Sequence, residues 1–270
     1  MVAPASAPIG VFDSGIGGLT VVRELMRQLP AERIIYFGDT ARVPYGPKSP
    51  DTVRRYSREI ASYLQGEGVK ALVVACNTAT AHALPMLQQE FALPVLGVVE
   101  PGARAAARAS ATGRIGVIGT AGTIASGAYD RAIRALAPNA QIVARACPLF
   151  VPLVEEGWID TPATRLIARE YLAPLALVHV DTLVLGCTHY PLLKPLLAEE
   201  LGGSVRLIDS AEQTAAATAS VLAERELCAP NGQARNGHRF ISSDAPEQFL
   251  RLAQRFLGTP IEGVEKVTLG

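Results

Sequence analysis

The sequence predicts an α/β fold of two similar domains, related by a pseudo-twofold axis, with mainly parallel sheets flanked by helices. Three observations lead to this prediction. Short apolar runs alternate with helical patterns along the whole chain. The runs are continuous, which is typical of strands covered on both faces in parallel sheets. Motifs at the strand ends recur in the second half, so we expect an active site in the cleft between the two copies.

The first half of the chain contains four predicted strands separated by helices. The helix that follows Ser49 has the clearest signals, since Ser49 is a favourable cap and Pro50 suits the first helical position. Its apolar residues recur on one face, and two glycines follow it. The predicted strands are residues 9–12, 33–38, 71–76 and 95–100, and the predicted helices are residues 18–29, the segment from Ser49 to Gly66, and residues 79–90.

The same alternation restarts at residue 114. A proline-rich loop precedes the second helix of this half, and a polar loop, residues 229–238, precedes the last strand. We expect the last helices to pack back on the first domain. The predicted strands are residues 114–120, 141–147, 181–187, 205–209 and 239–243, and the predicted helices are residues 123–137, 162–177, 191–201, 211–226 and a final amphipathic helix with Phe249, Leu252, Phe256 and Leu257 on its apolar face.

Three pairs of motifs support a duplicated unit. IGVFDSG begins at residue 9 and IGVIGTAG at residue 115, while VVACNTA and LVLGCTH place Cys76 and Cys187 at the ends of their strands. GVVEPG and RLIDSA supply the third pair, with the acids Glu100 and Asp209. One such match between apolar strands is weak, but three in the same order are much stronger. We predict one domain from residues 1–99 plus 212–270, and a second from residues 100–211.

Charge and hydropathy narrow the classes of function. Lys and Arg together number 25, as do Asp and Glu, so the chain lacks the basic surplus of a nucleic-acid-binding protein. No apolar run is long enough to span a membrane, and the first residues do not read as a signal peptide. We therefore expect a cytoplasmic protein that acts on a small molecule, with neither nucleic acid nor a membrane as its partner.

The four cysteines point to thiol chemistry rather than to a metal or a disulfide. They form no CxxC pair, which argues against a zinc site. We expect Cys147 and Cys228 to be buried and inert. Cys76 and Cys187 instead follow strands, where α/β sheets bind their ligands. Two opposed thiols suit inversion at a carbon, because a thiolate removes a proton from one face and a thiol delivers one to the other.

Cofactor chemistry finds no support in the motifs. The turn DSGIGG, residues 13–18, has Thr20 where a dinucleotide-binding fingerprint needs a third small residue. There is no phosphate-binding GxxxxGK[ST] loop, and no lysine stands in the setting of a Schiff base. We expect neither cofactor nor metal. The developing carbanion is expected to be stabilised instead by hydrogen bonds from DSGIGG, from a second turn that mirrors it, GTAGT at residues 119–123, and from Asn77, Thr78 and Thr188.

Seven segments together resemble the glutamate racemases of the cofactor-independent aspartate/glutamate racemase superfamily. They are IGVFDSGIGGLTVVREL, YFGDTARVPYG, VVACNTATAHAL, GVIGT, LVEEG, LVLGCTHYPLL and LIDSA, and a weaker likeness lies in RFISSD. The resemblance implies two α/β domains with the active site between them. It also implies acid–base roles for Cys76 and Cys187, with Asp13 assisting the first thiol and His189 the second. Glu155 matches the acid beside that histidine, whereas we interpret Glu156 as a solvated residue.

The resemblance further implies a set of substrate contacts. The expected substrate-binding residues are Asp13, Ser14, Tyr45, Gly46, Asn77, Thr78, Thr188 and His189. Asp13 and Tyr45 also have purely structural interpretations, as a helix cap and as a packed loop aromatic. Residues 1–8 and the loop 229–238 have no counterpart and receive no role.

The function implied is interconversion of L- and D-glutamate, supplying D-glutamate for peptidoglycan, by a homodimer. One alternative is a racemase of another substrate, such as aspartate or a hydantoin. A different class is a ligand-binding module, because two α/β lobes around a cleft also describe periplasmic binding proteins. Such a clamp needs no thiols, and turnover would separate the two classes.

Overall fold

The computed structural model describes residues 3–230 and 237–269, and its strands fall into two sheets. The loop predicted at residues 229–238 therefore lies partly outside the described residues. The strands are β1 (Ile9–Asp13), β2 (Ile34–Gly38), β3 (Ala71–Val74), β4 (Val95–Gly97), β5 (Arg114–Gly119), β6 (Gln141–Ala146), β7 (Thr182–Gly186), β8 (Arg206–Asp209), β9 (Arg239–Ser242) and β10 (Glu265–Lys266).

Helices connect consecutive strands throughout the chain. Ser49 caps one of them as predicted, since its hydroxyl accepts a hydrogen bond from the N–H of Thr52. The helices are α1 (Leu19–Gln28), α2 (Pro50–Gly66), α3 (Asn77–Glu90), α4 (Val99–Ala109), α5 (Ala121–Ala125), α6 (Ala128–Leu136), α7 (Phe150–Glu155), α8 (Pro162–Leu177), α9 (Lys194–Glu200), α10 (Ser210–Glu224) and α11 (Pro246–Leu257).

Both sheets are parallel in every described pairing, which confirms the predicted fold class. The larger sheet has the order β10-β9-β2-β1-β3-β4, and the smaller has the order β6-β5-β7-β8. The strands β1, β2, β3 and β7 are buried along their whole length. This burial on both faces explains why their sequences are continuous apolar runs.

The four-strand core of the larger sheet repeats in the smaller one. The order β2-β1-β3-β4 corresponds to β6-β5-β7-β8. Ile9 pairs with Ile34 and Ala71, and Ile115 pairs with Ile142 and Thr182 in the same way. The strand pairing thus reproduces the first two motif matches of the sequence.

The third match, between Glu100 and Asp209, is wrong. Val74 lies two residues before Cys76 and pairs with Gly97, whereas Leu185 lies two residues before Cys187 and pairs with Asp209. Gly97 is therefore the counterpart of Asp209. Glu100 lies beyond the strand, on an exposed turn of α4, where it pairs with Arg104.

Other local predictions also need correction. The strand predicted at residues 95–100 ends at Gly97, and α4 follows it immediately. The helix predicted at 123–137 is interrupted at Gly127, which has a φ of 63° and separates α5 from α6. Part of the proline-rich loop is helical, and this part is α7. The segment 191–201 begins as a 3₁₀ turn before α9.

Two helices connect the halves of the molecule. The chain passes from the larger sheet to the smaller through α4 and returns through α10, and these two helices pack on each other. Helices α10 and α11 also pack on α1, which confirms that the last helices return to the first half. In the part of the chain that the structure describes, no helix combines the length and the apolar character needed to cross a bilayer.

Candidate active site

A cavity lies where the carboxyl ends of strands from both sheets face each other. Asp13 ends β1, Cys76 follows β3, and Cys187 follows β7 directly. The cavity is lined by Ser14, Val43, Pro44, Tyr45, Gly46, Cys76, Asn77, Thr78, Thr120, Val151, Cys187, Thr188 and His189. The residues around it therefore include both cysteines and most of the predicted substrate contacts. Asp13 and Glu155 are outside this lining and adjoin it through their neighbours.

Cys76 is held at the start of α3. Its sulfur accepts a hydrogen bond from the N–H of Ala79 at 3.4 Å, and its thiol donates to Ser14 Oγ at 3.7 Å. Burial, and to a smaller extent the nearby carboxylate of Asp13, raise the pKa of Cys76 to about 12, against the hydrogen bonds with Ala79 and Ser14. The neutral thiol is therefore the favoured form of Cys76 at neutral pH.

Asp13 is a buried carboxyl group, and only one of its two oxygens has a hydrogen-bond partner in the described structure. Its Oδ2 accepts a hydrogen bond from the N–H of Gly15 at 2.9 Å, whereas Oδ1 has no partner among residues 3–230 and 237–269. Burial raises the pKa of Asp13, and the charge of His189 opposes this shift. The cap residue of helix α1 is Gly18, and Asp13 bonds the N–H of Gly15 in the turn that precedes the helix.

Cys187 has a different kind of partner. Its sulfur lies 3.9 Å from Nδ1 of His189, and Nε2 of the same ring lies 2.9 Å from Oε1 of Glu155. Burial lowers the pKa of His189, but the hydrogen bonds with Cys187 and Glu155 outweigh it and raise the pKa to about 10. The imidazole is therefore cationic at neutral pH, and a cationic imidazole stabilises a thiolate beside it. Glu156 is exposed, as predicted.

The position of His189 depends on a glycine from the other half of the molecule. A Cβ atom on Gly17 would lie 2.4 Å from His189 Nδ1 and 2.3 Å from Thr188 Oγ1, so only glycine permits this approach. Thr20 Oγ1 donates a hydrogen bond to the carbonyl of Thr188 at 3.0 Å. The first turn of α1 thus holds the loop that carries the second thiol and its histidine.

Tyr45 lines the cavity with its hydroxyl directed away into a buried network. The hydroxyl donates to Oδ2 of Asp39, a residue that is fully buried. Asp39 also accepts hydrogen bonds from Arg42 at 2.8 Å and from Ser243 at 2.9 Å. Burial is the main reason that the pKa of Tyr45 is raised, with Asp39 adding to it. The ring of Tyr45 therefore forms a wall of the cavity, with its hydroxyl already used.

Hydroxyl groups from the two halves meet beside the first thiol. Thr78 Oγ1 lies 2.8 Å from Thr120 Oγ1 and 3.2 Å from Thr123 Oγ1. The N–H of Gly122 donates to the carbonyl of Gly46 at 2.9 Å. Sequence reasoning did not identify Thr120 or Thr123 as site residues. The sequence contained a signal for Thr120, because the turn at residues 119–123 mirrors DSGIGG and Thr120 is the equivalent of Ser14 in the second copy.

Asn77 has a partner that the sequence analysis also missed. Its Oδ1 accepts a hydrogen bond from the hydroxyl of Tyr129 at 2.7 Å. Its buried Nδ2 has no partner within the described residues, although the side chain lines the cavity. Tyr129 belongs to α6, about fifty residues away, and no local pattern connects it with Asn77. A donor without a partner in a cavity is suited to bind a carboxylate.

The remaining cysteines are only partly as expected. Cys147 is buried in the core, and burial raises its pKa to about 12, which agrees with an inert thiol. Cys228 is exposed, so the prediction that it is buried is wrong. It follows the end of α10, where the chain leaves the core for the surface. The described parts of the chain hold no group of three His, Cys, Asp or Glu residues suited to a metal ion.

Comparisons with known proteins agree on one family. The family model described as Asp/Glu/Hydantoin racemase matches residues 9–218. A glutamate racemase from Geobacter metallireducens is 57% identical, over 97% of this chain and 96% of that protein. The crystal structure of glutamate racemase isoform RacE1 from Bacillus anthracis has a TM-score of 0.93 and 44% identity, covering 97% of this chain and 98% of that one. A structure from Francisella tularensis in complex with D-glutamate has a TM-score of 0.91 and 40% identity, covering 98% of both chains.

Proposed function

Since the chain belongs to the Asp/Glu/hydantoin racemase family, we propose that it interconverts L- and D-glutamate by proton transfer between Cys76 and Cys187. The chain is an amino-acid isomerase of the glutamate racemase type, as its curated relatives are. The observation that carries the mechanism is the pair of buried thiols at equivalent strand ends around one cavity. A ligand-binding module has no use for this pair.

The two thiols have different charged neighbours, Asp13 beside Cys76 and His189 beside Cys187, and this difference assigns their first roles. Cys187, beside the cationic His189, is the base that removes the Cα proton of L-glutamate. Cys76, whose neutral form is favoured, is the acid that protonates the opposite face. After one inversion Cys187 carries the proton and Cys76 is the thiolate, which is the form that accepts a proton from D-glutamate. The handedness in this scheme, with Cys187 acting on the L-enantiomer and Cys76 on the D-enantiomer, is what the resemblance to the family implies.

Glu155, His189 and Asp13 assist the two thiols in exchanging protons. Glu155 and His189 stabilise the thiolate of Cys187 through the contacts described above. Asp13, with a free Oδ1 in the described structure, accepts the proton of Cys76 when this thiol must act as the base. Its raised pKa suits this exchange, because a carboxyl group with an ordinary pKa would not hold the proton.

Stabilisation of the carbanion depends on donors around the carboxylates. The proposed substrate contacts are Asp13, Ser14, Tyr45, Gly46, Asn77, Thr78, Thr188 and His189, to which we add Thr120 because it lines the same cavity. Asn77 Nδ2 is the best placed side-chain donor, because it is buried and unpaired among the described residues. Main-chain N–H groups at the start of α3 lie beside it and favour an anion. Hydrogen bonds of this kind are worth most in a site from which water is excluded.

Glutamate is the proposed substrate in preference to aspartate or a hydantoin, because the similar curated proteins are glutamate racemases. We further propose that the product D-glutamate serves peptidoglycan synthesis and that the enzyme works as a homodimer. The proposed domain division remains residues 1–99 plus 212–270 and residues 100–211. It is supported by the passage of the chain between the sheets through α4 and α10.

A racemisation assay with purified protein and no added cofactor tests this proposal. Circular dichroism or polarimetry follows L- and D-glutamate, with L-aspartate and a hydantoin as competing substrates. Cys76→Ala and Cys187→Ala should each reduce racemisation by at least about 100-fold, since general acid–base groups contribute at least this much. Cys228→Ala is the matched control, because its thiol is exposed and away from the cavity.

Wild-type rates in either of the two active-site variants would contradict the two-thiol mechanism. Faster turnover of aspartate or of a hydantoin than of glutamate would contradict the substrate. Sedimentation equilibrium tests the homodimer separately, and a monomer would contradict that part alone.

A further inference from the structure

The last turn of α11 contacts both Glu155 and His189, the two residues that assist Cys187. Nη1 of Arg255 donates hydrogen bonds to the carbonyls of Val154 at 3.0 Å and of Glu155 at 2.5 Å. The ring of Phe256, the next residue, meets the ring of His189 edge to face, with centroids 5.1 Å apart. Phe256 is fully buried, so this contact belongs to the core of the molecule.

Helix α7 needs an external partner at the end where it presents Glu155. A helix leaves its last carbonyls without intrahelical donors, and α7 has only six residues. Arg255 supplies the missing bond to the Glu155 carbonyl and adds a second bond to the Val154 carbonyl, which also accepts from the N–H of Gly157. It also places a cation at the negative end of the helix. The chain then turns at Gly157, which has a φ of 81° and where a Cβ would lie 2.9 Å from the Arg255 guanidinium. Gly157 thus gives Arg255 the space to reach these carbonyls.

These contacts join the two halves of the molecule. Helix α11 packs on α1 and β9, which belong to the half with the larger sheet. Glu155 and His189 belong to the half with the smaller sheet. Within the described structure, the hydrogen-bond partners of Cys76 are Ser14 and Ala79, and neither lies on α11.

We propose that Arg255 and Phe256 are positioning residues for the Glu155–His189 pair, and through it for proton transfer at Cys187. Arg255 fixes the main chain from which Glu155 reaches His189, and Phe256 fixes the plane of the imidazole ring. Arg255 and Phe256 thereby serve one thiol and not the other. This inference rests on the proposed two-thiol function.

If Arg255 and Phe256 position the Glu155–His189 pair, their substitution should slow proton transfer at Cys187 and leave transfer at Cys76 unchanged. A general loss of stability would affect both thiols. A racemisation assay cannot reveal such a difference between the thiols. The equilibrium constant between the enantiomers fixes the ratio of kcat/KM for the L-to-D and D-to-L reactions, so a substitution changes both values by the same factor. Elimination from a β-chloro analogue of glutamate can reveal the difference. The thiolate takes the Cα proton, the C–H electron pair forms the Cα–Cβ double bond, and chloride leaves. The enamine then hydrolyses to ammonia and a keto acid, which is measured.

The experiment uses two parent enzymes that each retain one thiol. In Cys76→Ala only Cys187 can react, and in Cys187→Ala only Cys76 can. Arg255→Ala is introduced into both, and elimination is measured with both enantiomers of the analogue. We expect a loss of about tenfold with Cys187 alone, smaller than the roughly 100-fold minimum for losing an acid–base group itself. With Cys76 alone we expect the rate of the parent.

Two further variants sharpen the result. Arg251→Ala is the matched control, because Arg251 is exposed on the same helix and makes no hydrogen bond or ion pair with the described residues. Arg255→Lys should recover the rate to within about threefold of the parent, since both bonds come from one nitrogen and an ammonium carries three donors. Phe256→Leu should repeat the one-sided loss. Thermal unfolding of each variant checks that the fold is intact.

Equal losses in both parents, or no loss with Cys187 alone, would overturn the positioning role. If the wild type racemises glutamate while Arg255→Ala has no one-sided effect, only this inference fails. If the wild type neither racemises glutamate nor eliminates chloride, the proposed function fails and this inference fails with it.

Discussion

Replacement of Gly17 by alanine is the sharpest test of how the site is assembled. The added methyl group would lie 2.3 Å from Thr188 Oγ1 and 2.4 Å from His189 Nδ1, well inside van der Waals contact. His189 cannot turn aside, because Glu155 binds one edge of the ring and Phe256 packs against it. We therefore expect the loop with Cys187 to move away from α1.

The magnitude follows from the size of the clash. Relief to ordinary contact needs a displacement of more than 1 Å, and a misplacement of about 1 Å in a catalytic group costs on the order of 100-fold in rate. Overpacking of this kind also destabilises a fold by roughly 1–3 kcal/mol. Racemisation of glutamate should thus fall about 100-fold in Gly17→Ala, with a lower melting temperature.

Gly66→Ala is the matched control for this substitution. Gly66 is the last residue of α2, and a Cβ there meets no atom within 4 Å. Alanine should keep full activity and stabilise the fold by roughly 0.4–1 kcal/mol. Racemisation by Gly17→Ala within twofold of the wild type would refute the claim that close approach of α1 sets the position of His189.

Three further predictions concern the neighbours of the site. The pKa of His189 is raised to about 10, so its contribution to stability is complete below pH 6.5 and is lost as the pH rises through 10. The difference in unfolding free energy between the wild type and His189→Gln should shrink over this range in denaturant titrations. Ser243→Ala removes a hydrogen bond to Asp39, which should cost about 1 kcal/mol and raise KM, and an unchanged KM would contradict a link to the cavity wall. Tyr129→Phe leaves Asn77 Oδ1 without its donor, which should cost about 1–3 kcal/mol of stability and raise KM about tenfold, and an unchanged KM would contradict the role.

Residues near strand ends could be predicted from the sequence, and their partners from distant helices could not. Buried parallel strands have a strong signal, and their carboxyl ends share one edge of each sheet. Asp13 and Cys76 therefore lie together at the edge of the larger sheet, and Cys187 lies at the matching edge of the smaller one. Tyr129 and Arg255 reach the site across the boundary between the halves, so no spacing in the sequence connects them with it. Their roles depend on packing between helices, which the local pattern does not record.

Errors in the predicted elements have local causes. Pro101 and Gly102 resemble a turn after a strand, but proline is tolerated in the first turn of a helix, and α4 begins just before it. Pro152 likewise made the segment of α7, the helix that carries Glu155, resemble part of a proline-rich loop. Helix α7 has only six residues, too few to show an apolar period, and the buried face of α4 consists mostly of glycine and alanine.

The duplicated fold carries an active site whose two halves differ in chemistry. Strand pairing makes Cys76 the counterpart of Cys187, yet Asp13 corresponds to Gly119, and His189 corresponds to Thr78. Two thiols in identical surroundings would titrate as a coupled pair with no preferred site for the proton. A carboxylate beside Cys76 disfavours a thiolate there, and an imidazolium beside Cys187 favours one, which is the asymmetry that the proposed acid–base pair needs. Under the proposed mechanism, the symmetry of the fold provides two faces for the substrate, and the loss of symmetry in the partners makes the site reactive.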